Sequence, residues 1–453
     1  MTGGLILARA PVGGRKQPPT TRPRTTQRCP FIAGNGERKP RVFPPSGWDN
    51  LDSSIPVEEE AIPTYRPENF YPARIGEIFK HRYQIVGKLG YGSSATSRDC
   101  RYVALKIHTA SKTVTREIEI YNHLKNIQSD HVGRSCLRPL IEVFQAQSPD
   151  GHRAHTCLVH PPLGISLDQL TSLLPDRVMS SVMVRTAVRH ILAALDFLHT
   201  EAGIIHTDLQ PSNILLGIKD DLILSKFEQA EFEAPVPRKT RGDHTIYLSR
   251  PLPISFGTPV LCDLGEARVG THQQHGDIMP DVYRAPEVIL DMAWDYKVDI
   301  WNVGMLIWDL FEPHHLFKAR NPDRKLDDGY HLAEMQAVLG CPPPEFLTRS
   351  GRGLQFWDNH GLYNFHSSCP LPSRYKVTSI NDYVISVSGK WKEASPIPGH
   401  NLESLEERLQ GGEKDDFLRF LRRMLSWQPE ERATAKELLF DPWLMHGLKR
   451  RQE

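Results

Sequence analysis

The periodicity of apolar positions changes twice along the chain. Up to about residue 65 it is weak, and proline, glycine, threonine and arginine dominate, as in GGRKQPPTTRPRTTQR. Such a stretch buries too little apolar surface to order itself. From Tyr83 short β-rich runs appear, YQIVGKLG and RYVALKI, with turn residues between them. TREIEIYNHLKNI then predicts a helix, with Ile118, Tyr121, Leu124 and Lys125 at helical spacing. HTCLV (155–159) predicts another strand. After it Val184, Val188, Ile191, Leu192, Leu195 and Leu198 recur at the spacing of one helix face. Further helices are predicted over 297–311, 331–339, 415–426 and 433–440. A strand-rich stretch followed by a helix-rich one predicts an α+β protein of two lobes. Residues 218–257 mix charges, prolines and isolated aromatics, and read as an insertion that is partly ordered at best. The expected divisions are a disordered tail 1–65, a strand-rich lobe 66–162, a helical lobe 163–447 carrying the insertion 218–257, and a short tail 448–453.

Charge narrows the function classes. The 453 residues carry a formal net charge of +1, with 39% apolar and 24% charged positions. That balance predicts no direct nucleic-acid partner and no membrane partner. No apolar run reaches the ~18 residues of a membrane span. Seven cysteines lie scattered without a Cys-x-x-Cys pair, which argues against a disulfide framework or a zinc site and for a reducing compartment. Arg9, Arg15, Lys16, Arg22, Arg24 and Arg28 all precede the first acidic residue, Glu37. Mitochondrial transit peptides share that composition, but the many prolines oppose the amphipathic helix such a peptide needs. A plain tail is the preferred reading, with targeting as the alternative.

Several short motifs carry candidate chemistry, each weak by itself. GYGSSA (90–95) places Gly90, Tyr91 and Gly92 after a strand, where a turn can bring backbone N–H groups to phosphates. VALK (103–106) ends a strand on Lys106, which alone reads as an exposed or snorkelling lysine. IIHTDLQPSNILL (204–216) sets Asp208 and Asn213 between apolar runs, and LCDLGEA (261–267) sets Asp263 and Gly265 in a turn. Buried carboxylates of this kind are costly without a partner or a metal.

Their order changes the reading. Gly90 and Gly92 precede Lys106, which precedes a helix bearing Glu117; Asp208 with Asn213, Asp263 with Gly265, and YRAPE (283–287) follow. With this set, residues 80–447 resemble a eukaryotic protein kinase. The resemblance implies a bilobal protein-kinase fold, with a small β-rich N-lobe and a larger helical C-lobe. It implies ATP and Mg²⁺ as cofactors and a protein substrate. Phosphoryl transfer needs positioning and charge stabilisation more than covalent chemistry. The resemblance implies that Lys106 holds the α/β-phosphates, oriented by Glu117. Glu119 would lie about 200° around the helix, so only one of the two can face inward. Asp263 and Asn213 would bind Mg²⁺, and Asp208 would take or orient the proton of the substrate hydroxyl. Gly90, Tyr91 and Gly92 would cover the phosphates, with Ala104 and Leu215 sandwiching the adenine. His160 stands at the gatekeeper position; the carbonyl of Pro161 and the N–H of Leu163 would bond the base. Asp299 and Trp301 in KVDIWNVG resemble the helix that anchors the kinase C-lobe, and Glu287 would pair with Arg432.

Variants point to a branch. Thr207 replaces the usual arginine before the catalytic aspartate, Leu264 replaces the usual phenylalanine after the metal-binding one, and an insertion follows Asn213. With YHLAEMQAVLGCPPPEFL (330–347), these features resemble the SR-protein kinases. That family phosphorylates serines in Arg/Ser-rich splicing factors. The resemblance implies a monomer of cytoplasm and nucleus. An acidic groove for the basic substrate would draw on Asp277, Asp281, Asp323, Asp327 and Asp328, with a plain solvated acidic face as the equal alternative reading. Departures are Gln210 where such kinases have a lysine, Pro280 where they have a threonine, and Ala95 for the third glycine. Only 13 residues separate Gly92 from Lys106, which barely accommodates the strand and turns expected there. Ser97 stands where an aliphatic residue would pack on adenine. The alternative reading is a pseudokinase scaffold with impaired nucleotide binding.

Overall fold

The computed structural model describes residues 5–9, 40–90, 102–110, 115–220, 222–242, 244–270, 273–358, 390–392 and 395–447. Tyr91 and Gly92 of the predicted glycine loop lie outside the described residues. The chain forms two compact units. One comprises 1–114, 138–165 and 215–257; the other comprises 115–137, 166–214 and 258–453. The first is built on a sheet and the second on helices, as an α+β bilobal chain requires.

Six antiparallel strands make the sheet of the first unit: β1 (Leu5–Arg9), β2 (Ile78–Phe79), β3 (Tyr83–Gly90), β4 (Tyr102–Ile107), β5 (Glu142–Gln147) and β6 (Ala154–His160). Their spatial order is β2-β3-β1-β4-β6-β5. β3 and β4 therefore do not pair with each other; β1 lies between them and pairs with both. For Leu5–Arg9 this corrects the reading of residues 1–65 as a disordered tail; residues 10–39 of that tail lie outside the described residues. LILAR is a short apolar run whose first four residues are buried, and a strand covered on both faces reads as such a run rather than as an alternation. Ile6 and Ala8 pack with Ile85, Val103, Leu105, Ile107 and Val159 on one face. Leu7 packs with Val86, Tyr102, Leu224 and Phe227 on the other.

The helices needed below are α1 (Thr115–Asn126), α2 (Ser181–Phe197), α3 (Leu222–Glu233), α4 (Lys297–Phe311), α5 (Asp328–Leu339) and α6 (Gly411–Arg422). α3 belongs to the insertion, which is ordered: a strand pair, Arg238–Arg241 with His244–Tyr247, follows it. The insertion also groups with the sheet unit and not with the helical lobe expected from the sequence. Conversely α1, expected in the strand-rich lobe, groups with the helical unit. The contact that seats α3 is tight. A Cβ on Gly87 would stand 2.6 Å from the Phe227 ring, so any larger residue at this strand position would have to displace the ring. Glu228 of α3 accepts from Tyr102 Oη and pairs with Arg9 and Arg41, each at 3.4 Å.

In the helical unit the predicted stripe of α2 is realised: Val184, Val188, Ile191, Leu192 and Leu195 are all buried. α4 is buried on nearly every side, and a Cβ on Gly304 would meet Leu425 at 2.8 Å. Arg432 forms two 2.6 Å bonds to Glu287, with both side chains buried. Two parallel charge-assisted bonds, plus Arg432 donation to Ser426 O and Lys297 O, satisfy what would otherwise be costly buried charge. Cys136 and Cys157 are free, but Cys341 is disulfide-bonded, where the sequence suggested only reduced thiols. No helix among the described residues is long and apolar enough to cross a membrane.

Because Phe227 is buried against the sheet, Phe227→Ala should cost about 3 to 5 kcal/mol of stability, read by chemical denaturation of the full chain. An unchanged unfolding midpoint would show that α3 does not pack there.

Candidate active site

The candidate residues divide between the two units, and each group is described within its own unit. In the helical unit the chain leaves the short strand Ile204–Ile205 and turns sharply at Thr207, whose φ of 67° is in the left-handed region. A β-branched residue rarely adopts this conformation, so something must enforce it. Asp299, in the first turn of α4, does so: its two oxygens accept the backbone N–H groups of His206 and Thr207, each at 2.8 Å. His199 Nε2 also meets Asp299 at 2.8 Å. The Thr207 hydroxyl donates to Glu266 O at 2.8 Å, linking this turn to the segment after Asp263.

Asp208 follows. Its Oδ1 accepts from Gln210 Nε2 and its Oδ2 from Asn213 Nδ2, both at 2.9 Å. Asn213 Nδ2 also donates to Asp208 O at 2.9 Å, which closes the loop on itself. Gln210, read from the sequence only as a missing lysine, thus has a contact that no motif predicts. Asn213 O accepts from Cys262 N at 2.9 Å, and His206 Nε2 lies 3.1 Å from Cys262 O. These two links bring Asp263 to the same place. Asp263 also has a left-handed φ, 61°, and its Oδ1 accepts from Gly265 N at 3.2 Å. Burial raises the pKa of Asp208 most; His206 opposes this, and the nearby Asp263 carboxylate raises it further. A cation placed between two such carboxylates would favour the ionised form of both. Among the described residues no group of three or more His, Cys, Asp or Glu is placed to hold a metal ion.

Of the two glutamates of α1, Glu117 faces inward. It is buried, with an oxygen 3.7 Å from where a Cβ on Gly265 would be, while Glu119 is exposed.

In the sheet unit Ala104 and Lys106 lie two apart on β4 and so share a face. Both are buried, as are Pro161, Leu163 and Leu215. Gly164 N donates to Leu216 O at 2.7 Å, and Leu216 N to Ile165 O at 3.0 Å, fixing Leu215 beside the 161–164 segment. The Pro161 carbonyl, assigned to the nucleotide base, accepts from the buried Arg138 at 3.3 Å. A carbonyl has two lone pairs, so this leaves it able to accept a second bond. Gly90 ends β3.

Removing the Asp299 carboxylate would strand the His206 and Thr207 N–H groups in the core. Asp299→Ala should cost about 1 to 3 kcal/mol for each and depress kcat, checked by denaturation and initial rates. If Asp208 takes the substrate proton, as the resemblance implies, its ionised form is the active one, and burial, with the nearby Asp263 carboxylate, raises its pKa. Activity therefore falls as pH drops through that raised value. Gln210→Lys adds a cation beside Oδ1, favours the ionised form and should move the acid limb of kcat/KM to lower pH. An acid limb that stays put would show that Asp208 does not set it.

The protein kinase domain model matches residues 83–247 and 255–444. A serine/threonine protein kinase of Aspergillus fumigatus is 40% identical over 417 residues, covering 90% of this chain and 95% of the relative. The serine/threonine-protein kinase SRPK of Physarum polycephalum is 28% identical over 419 residues, 85% of this chain and 91% of its own. Dual specificity tyrosine-phosphorylation-regulated kinase 3 of Homo sapiens is 28% identical over 380 residues, 82% of this chain and 55% of the relative. Neither the domain match nor these relatives support the pseudokinase reading. The chain belongs to the eukaryotic protein kinase family, as a serine/threonine protein kinase resembling the SR-protein kinases.

Proposed function

We propose that this kinase transfers the γ-phosphoryl group of ATP to serine hydroxyls in Arg/Ser-rich proteins linked to mRNA splicing, without needing a phosphorylated activation segment. The observation that carries the reading is Thr207. In place of an arginine that could bind a phosphate, it is a fully buried neutral residue whose hydroxyl is bonded to Glu266 O. The segment after Asp263 is thus held by bonds that need no modification, with Arg116–Glu266 at 3.0 Å as a further tie. The substrate class rests on the likeness to the relative named SRPK and on the sequence features shared with that branch.

In this mechanism Asp208 accepts or orients the proton of the serine hydroxyl, held in register by Gln210 and Asn213. Asp263 and Asn213 would hold Mg²⁺. The amide nitrogen of Asn213 donates to Asp208, which would leave its amide oxygen to hold the ion. The ion supplies charge neutralisation for the transferring phosphoryl group. Lys106 binds the α/β-phosphates, and Ala104, Leu163 and Leu215 line the base. Of the five acidic residues expected to receive a basic substrate, Asp327 caps α5, and Asp328 is 2.5 Å from Arg352. Asp277 and Asp281 pair with Arg284 at 3.2 and 3.0 Å. Asp323 is exposed. The substrate would therefore compete with Arg284 and Arg352 for most of this charge.

The test is phosphorylation of an Arg/Ser-repeat peptide by protein purified after phosphatase treatment, with Asp208→Ala as control. Full activity is expected without phosphate on residues 266–282, and the control should lose roughly a thousandfold or more in kcat. Activity that appears only after phosphorylation of that segment, or a preference for non-basic peptides, would sink the corresponding half of the proposal.

A further inference from the structure

Asp208 and Gln210 keep part of their surface exposed, while His206, Thr207 and Leu209 around them are fully buried. An ionised aspartate only accepts hydrogen bonds. The end of the Gln210 amide that faces it is therefore the NH₂, and Nε2 donates to Asp208 Oδ1 at 2.9 Å. The other end of the amide, the carbonyl Oε1, is turned away from the carboxylate, and nothing among the described residues bonds to it. The backbone beneath is fixed. Gln210 is extended, Pro211 follows it, and its own carbonyl accepts from Asn213 N at 2.9 Å. The surface these two residues present is one of acceptors, a carboxylate and an amide carbonyl. A lysine at 210, which the resemblance leads one to expect, would present a cation instead. The group that complements the surface as it stands carries positive charge and N–H donors.

We propose that Gln210 is a specificity-determining residue that binds the guanidinium of an arginine next to the acceptor serine, so that the substrate brings the cation position 210 lacks. This rests on the Arg/Ser reading above and adds to it a role in the transfer step. An arginine suits the place better than a lysine. Its planar guanidinium has five N–H donors and a charge that stays at any working pH. One edge can donate to Gln210 Oε1 while another reaches phosphoryl oxygens, which match its fork geometry. In the transfer, a bond forms from the serine Oγ to the γ-phosphorus as the bond from that phosphorus to the β,γ-bridging oxygen of ATP breaks. ADP departs with the electron pair, and the serine proton passes to Asp208. The guanidinium gives up no proton. It offsets charge on the moving phosphoryl group, an effect that counts most in the transition state. It therefore acts on the rate of transfer more than on affinity, which arginines farther along the peptide supply.

The experiment changes the peptide first and the enzyme second. An arginine-rich peptide with a single acceptor serine is compared with the same peptide carrying citrulline, the uncharged isostere of arginine, on both sides of that serine. With the full wild-type chain and saturating Mg-ATP, this exchange should lower the single-turnover rate roughly tenfold or more and change KM for peptide by less than about threefold. In Gln210→Lys, which carries its own cation, the same exchange should alter the rate by less than about twofold. The isotope-labelled side-chain amide of Gln210 should shift in NMR spectra when the arginine peptide is added without nucleotide, and should not shift with the citrulline peptide. An exchange that changes KM alone, an equal loss of rate in wild type and Gln210→Lys, or an amide that does not respond, would overturn the proposal. The wild-type comparison and the amide signal decide the matter even if Gln210→Lys does not fold. Failure of the Arg/Ser reading looks different: wild-type protein would then phosphorylate neutral peptides in preference to both of these, which ends the reading and the proposal together.

Discussion

The active loop of the helical unit hangs on one buried carboxylate. Asp299 has no exposed surface, yet it accepts three hydrogen bonds, two of them from consecutive backbone amides. An isolated buried charge would be expelled or neutralised; one surrounded by donors is retained. Its place in the first turn of α4 adds the favourable end of the helix dipole. The consequence is geometric. Holding both amides forces Thr207 into the left-handed region and fixes the direction in which Asp208 leaves the turn. Asn213 then closes the loop through its bonds to the Asp208 main chain and side chain, and Cys262 N on Asn213 O brings Asp263 alongside. The chemistry depends on a residue that need not touch substrate.

Much of this was legible in the sequence because it is local. Asp208 and Asn213 are five residues apart, and a loop that short can carry its own hydrogen bonds. Asp263 and Gly265 read correctly as a turn, and the apolar stripe of α2 read correctly as a buried face. Glu117 against Glu119 needed only helical geometry, with burial choosing between them. What escaped the sequence is non-local. LILAR is too short for its periodicity to be distinguished from a chance apolar run in a Pro- and Arg-rich stretch. Its meaning comes from partners some eighty to a hundred residues away, Gly87 and Ala104. The same holds for the insertion. Its charges looked like those of a solvated loop, yet Glu228 and Glu231 are buried because Arg9, Arg41, Arg238 and Arg250 reach them. A charge pattern cannot declare which of its members will be paired across the fold.

The remaining surprise is how little positive charge surrounds Asp208. The usual arginine before it is Thr207, and the usual lysine after it is Gln210. In their place stand neutral donors, the amides of Gln210 and Asn213, with His206 close by. Neutral donors orient a carboxylate well but offset burial poorly, which is why its pKa is raised and not lowered. A cation bound there would add to the charge balance of the loop. Mg²⁺ on Asp263 and Asn213 would supply part of it. On the proposed reading an arginine-rich substrate would supply more, since a guanidinium carries a fixed charge that no change of pH removes. The loop would then be electrostatically complete only with both nucleotide and basic substrate present. A preference for basic sequences would follow from residues the kinase lacks as much as from acidic residues it displays.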